Sequence, residues 1–183
     1  MSTRAEGFWT LIRTAEPPEL GPGPRPGVLP FPVLAGRFDT WAGAVNLGER
    51  IAVRLRATAY LHHDHADPAH DLVQDLTDPD GALIHGILHR REPDYWNAKY
   101  WFRQAENHPI FPHLTARMHK IESASGHQSL LGRLTLSGTM DPHALVDEVE
   151  AVAHRPAHDP EVWFLRLVQL VETECLAAHL LDD

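Results

Sequence analysis

The chain has 183 residues, 25 acidic against 16 basic side chains for a net charge of −9, and 43% apolar residues that include five tryptophans. The apolar share excludes disorder over most of the length, and the acidic balance argues against nucleic acid or an anionic membrane as partner, because phosphate attraction needs a dense basic face. Fourteen histidines qualify that charge, since mild acidification would protonate many of them.

The first residues, MSTRAEGFWTLIRT, carry early charges and no apolar core of signal-peptide length, and they predict a helix over 3–14. Seven of the fifteen prolines then fall between Pro17 and Pro32. Such density disfavours helix and predicts an extended N-terminal arm anchored by Val28, Leu29, Phe31, Val33 and Leu34. The arm would lie across its own domain or cross to a second subunit, which would make the protein a homodimer. Residues 1–38 are accordingly assigned to an N-terminal helix and proline-rich arm, and residues 39–183 to an α-helical domain.

From Asp39 onward, Asp67-Pro68, Asp78-Pro79, Asp141-Pro142 and Asp159-Pro160 each precede a run of helical periodicity. Aspartate can accept the orphan N–H groups of a first turn, while proline at the first helical position has no N–H to leave unpaired. Glu92-Pro93 and His108-Pro109 are read as two further starts. The predicted helices are 40–63, 68–76, 79–91, 94–106, 109–122, 142–154 and 160–181; residues 123–140 are unassigned, with a short hairpin as one option. Cys175, the single cysteine, excludes a disulfide framework and a thiolate metal site. Arg166, Glu172 and Glu174 interrupt the last apolar helix, so no membrane span is expected. The expectation is a cytoplasmic, all-α single domain of packed helix hairpins with a proline-rich extended arm.

The central segment concentrates the polar chemistry. In DYWNAKYWFRQAENHP, the residues Asp94, Tyr95, Ala98, Trp101 and Ala105 resemble the second helix of a TPR or Sel1 repeat, but no second copy lies about 34 residues away, the period such arrays require. The longer block HxxxHRREPDYxNAKYWFRxxxxHP, together with DHADPAH over residues 64–110, resembles an uncharacterised bacterial and fungal family. That resemblance implies no activity.

If 68–76 and 79–91 form an antiparallel hairpin about Thr77-Asp78, His70 faces His85, and His85, His89 and Glu92 follow on one helical face. Three readings result. A divalent ion (zinc, iron, manganese or nickel) would take His85 and His89 as ligands with His70 or Glu92, supporting a metal-dependent hydrolase or lyase with Glu92 or Asp94 as base. Position 86 is Gly, so the HExxH general base of the zincins is absent. A metal-free pocket would bind a small anionic or polar molecule, with Arg90 and Arg91 gripping the anion and His70, His85, His89, Asn97 and Tyr100 directing hydrogen bonds. The polar groups would otherwise tie the helix corner together, leaving an interaction scaffold without catalysis. Of the three, the sequence favours the pocket. HHDH at 62–65 is read as a solvated helix end rather than a metal cluster, and His143, His154, His158 and His179 as surface or helix-end groups.

Overall fold

Three of the four Asp-Pro pairs open a helix in the computed structural model, which describes residues 3–182. Asp78 accepts the Gly81 N–H at 3.2 Å. Asp141 accepts those of His143 and Ala144 at 2.8 and 3.4 Å, and Asp159 those of Glu161 and Val162 at 2.9 and 3.4 Å. The architecture is all-α, with ten helices and no strand among the described residues: α1 (Thr3–Ile12), α2 (Phe31–Ala44), α3 (Glu49–His62), α4 (Ala66–Val73), α5 (Pro79–Arg91), α6 (Tyr95–Ala105), α7 (Ile110–Ser125), α8 (Gln128–Leu134), α9 (Pro142–Val152) and α10 (Pro160–Asp182). No helix among them is long and apolar enough to cross a membrane.

Several boundaries differ from expectation for local reasons. Pro30 is the N-cap of α2 and Pro32 sits in its first turn, so the last two prolines of the rich stretch begin a helix. Phe31, Val33 and Leu34 therefore belong to α2, and Asp39 lies within that helix rather than at its start. The predicted helix 40–63 is broken between Val45 and Gly48, where Asn46 takes φ 49°. Helix α4 starts at Ala66, one residue ahead of Asp67-Pro68, with His65 as N-cap. Glu92 closes α5; Asp94 opens α6 by accepting the Asn97 N–H at 3.2 Å. The unassigned region contains α8, whose Leu130, Leu131 and Leu134 are buried.

Residues 13–30 are without helix and are tied to α3 and α10 by polar contacts to their backbone. Arg166 donates to the carbonyls of Pro17 and Pro18 at 2.8 and 3.2 Å, and the Gln169 amide donates to that of Glu19 at 2.9 Å. Arg25 pairs with Asp64 and donates to the His62 carbonyl at 2.8 Å. His63 accepts the Leu29 N–H on Nδ1 at 3.1 Å and reaches the Leu11 carbonyl with Nε2 at 3.0 Å, while His65 Nε2 lies 2.8 Å from the Leu29 carbonyl. HHDH is thus a buried anchorage for the segment rather than a solvated helix end.

Helix α5 lies at the centre of the fold, with every residue from Asp80 to Arg91 buried. It packs against α3, α4 and, most extensively, α6. Gly86 permits that last approach, because a Cβ there would lie 2.7 Å from the Phe102 ring. Putting polar residues on so buried a helix requires each to find a partner within the protein.

Candidate metal centre

The α4–α5 hairpin brings three imidazoles together. His70 of α4 lies edge-on to His85 and to His89 of α5, with ring centroids 4.8 and 5.6 Å apart. His85 and His89, one turn apart, are nearly parallel at 5.0 Å. Trp101 of α6 stacks on the other side of His85 at 4.0 Å and 8°, which holds that ring in place. One ligand nitrogen from each histidine falls within 4.8 Å of the others. Metal–nitrogen bonds of about 2.1 Å would separate neighbouring nitrogens by roughly 3–3.4 Å, so each ring needs to move by less than about 1 Å to share one ion.

What distinguishes this cluster is its shortage of partners. His85 is 3% exposed, yet its Nδ1 makes no hydrogen bond, and neither does the buried His89 Nδ1. Burial lowers the His85 pKa to about 4, with His89 and His70 adding to the effect. Burial also lowers that of His89, opposed by Glu92 and reinforced by His70. Both rings are therefore neutral at pH 7, the form in which imidazole ligates a metal. The Asn97 amide nitrogen donates toward His89 Nε2 at 3.2 Å, which assigns the ring proton to Nδ1. Glu92 Oε2 lies 3.1 Å from that Nδ1, at ion-pair distance but out of hydrogen-bond alignment.

The remaining predicted residues lie around or away from the cluster. Arg90 is fully buried and turned to α10, donating to Glu172 at 3.1 and 2.5 Å and to Gln169 at 3.1 Å. Arg91 is committed to Asp64 at 2.6 Å and to the Leu61 carbonyl. Neither guanidinium joins the histidines, so the anion grip expected of the pair is not assembled here. Asp94 is engaged as the α6 cap, and Tyr100 is 41% exposed, its ring 5.4 Å from that of Trp101.

A second cluster went unrecognised in the sequence because its members are 28 and 99 residues apart. Asp80 Oδ1 lies 3.0 Å from His108 Nε2 and 3.1 Å from His179 Nε2. The other side of the carboxylate faces Arg50 and Arg54, each at 3.8 Å. His108 Nδ1 accepts the Ile110 N–H at 3.3 Å, which leaves the proton on Nε2 and directs it to Asp80. The His108 contact, ahead of the others, holds the Asp80 carboxyl below its usual range. These three groups also stand close enough to ligate an ion, but they satisfy one another and sit beside two guanidinium groups. The chemistry therefore separates a self-satisfied Asp–His network from a histidine cluster with orphaned nitrogens.

Comparison of the chain with family models, curated proteins and solved structures finds no match to any of them.

Proposed function

We propose that His70, His85 and His89 bind a divalent metal ion and that the protein acts as a metal-assisted hydrolase or lyase at that site. The observation that carries this reading is the convergence of three imidazoles, two of them buried and neutral, with the His85 Nδ1 left unpartnered. Buried polar groups without partners are uncommon and point to an ion or water that satisfies them. Zinc, iron, manganese and nickel all accept imidazole, and three protein ligands leave positions open for water and a polar ligand. A bound divalent ion would lower the pKa of its water and supply a hydroxide near neutral pH. Glu92, with its Oε2 3.1 Å from His89 Nδ1, stands where a small turn of the ring would let it accept that proton, the carboxylate–histidine relation that raises ligand basicity. His89 would hold the ion through Nε2, with the Asn97 amide, now 3.2 Å from that nitrogen, turning away from it. Trp101 keeps His85 from rotating.

With Arg90 and Arg91 engaged elsewhere, a metal supplies the positive charge that would draw a small anionic or polar ligand to this place. Titration calorimetry with zinc and with manganese tests the reading. One ion should bind per chain, and His85→Ala and His89→Ala should each weaken binding by about 100-fold or more, while Glu92→Gln weakens it by about 10–100-fold. His108→Ala, in the Asp80 network, should leave stoichiometry and affinity unchanged. Equal binding by wild type and His85→Ala would overturn the assignment.

A further inference from the structure

A cavity of about 710 Å³ lies between α1, the segment that follows it, and α10, within the range that accommodates small organic ligands. Trp9 and Ile12 line it from α1, and Trp163, Leu167 and Leu170 from α10. Arg117 and Glu174 also face it but are paired with each other. His62 contributes a 2% exposed wall residue whose Nδ1 makes no hydrogen bond. The Ile12 carbonyl lies near its ring; burial and then Arg25 keep the imidazole neutral. His62 thus adds polarity to the wall without charge.

The charge pattern comes from two other lining residues. Arg13 and Glu16, three positions apart and both exposed, have no ion-pair partner among the described residues. Most of the other arginines are paired, including Arg25, Arg54, Arg90, Arg91, Arg117 and Arg133. An anionic ligand would meet repulsion from Glu16, and a cationic one from Arg13. A molecule carrying both charges next to a ring would satisfy the two while placing its apolar part against tryptophan.

We propose that this cavity binds a zwitterionic small molecule of the aromatic α-amino acid class, its ring against Trp9 and Trp163, its carboxylate on Arg13 and its ammonium group on Glu16. The site shares no residue with the histidine cluster and does not depend on the metal reading.

Calorimetry on the full chain with three matched probes tests this: L-tryptophan, indole-3-propanoate, which lacks the ammonium group, and tryptamine, which lacks the carboxylate. Tryptophan should bind at one site, and each analogue should bind about tenfold or more weakly, the loss expected for one charge-assisted contact. Arg13→Ala should weaken tryptophan about tenfold without weakening tryptamine, and Glu16→Ala should weaken tryptophan without weakening indole-3-propanoate. Both side chains are exposed, and circular dichroism checks that the variants fold. Absence of tryptophan binding at millimolar concentration, analogues that bind as tightly as tryptophan, or variants that bind it like the wild type would each overturn the proposal.

Discussion

Replacing Glu172 by Leu should destabilise the protein through Arg90, its partner in the core. Both side chains of the pair have no solvent exposure, and Arg90 holds Glu172 through two hydrogen bonds and Gln169 through a third. Removing the carboxylate strands a buried guanidinium, which costs about 3–5 kcal/mol. A fold of this kind has about 5–15 kcal/mol in all, and the loss corresponds to a melting-point drop of roughly 6–20 °C. Adding Arg90→Met removes the stranded charge. The double variant should recover the cost of the stranded charge and stay below the wild type by about 1 kcal/mol, for the Gln169 carbonyl that loses its donor. Urea unfolding followed by circular dichroism measures both variants. A cost below about 1 kcal/mol for Glu172→Leu, or a double variant no more stable than the single, would refute the reasoning that Arg90 is a core residue held by its ion pair.

Other consequences concern the histidines and the helices that carry them. The metal-free protein should lose stability as pH falls from about 6.5 toward 4, because the unfolded chain takes up a proton that folded His85, with its pKa at about 4, refuses. The loss is up to about 3 kcal/mol at that site, with His62 and His89 shifted in the same direction. Urea titrations at pH 7 and pH 4.5 measure it, and stability that rises on acidification would contradict it. Gly86→Ala should cost about 1–3 kcal/mol by forcing apart the α5–α6 contact at Phe102; a neutral result would mean that the two helices can separate freely. Asp94→Ala should cost about 1 kcal/mol as a lost N-cap and leave metal content unchanged, whereas metal lost from an intact fold would make Asp94 part of the site.

The features readable from sequence were those set by neighbours along the chain. Asp78, Asp141 and Asp159 announce helix starts because the cap bond spans only two or three residues. The hairpin register placed His70 opposite His85 because a short turn leaves few alternatives. Pro30 and Pro32 misled because proline both ends helices and begins them, so their density concealed the start of α2. The break between α2 and α3 carries only Asn46 at positive φ and Gly48 as punctuation. Where a side chain points across the core was not readable. Arg90 meets Glu172 and Gln169 from about eighty residues away, and the same distance problem concealed the Asp80–His108–His179 network. His62, His63 and His65 likewise serve a segment more than thirty residues upstream, so proximity in sequence revealed nothing of their partners.

Elemental analysis of the full chain, purified without a histidine tag and dialysed after incubation with zinc, manganese and iron, tests the histidine cluster most directly. The wild type should hold close to one equivalent of metal, the His85→Ala/His89→Ala variant none, and His108→Ala as much as the wild type. A wild type that retains no metal from any of the three, or equal metal in wild type and double variant, would contradict the metal assignment.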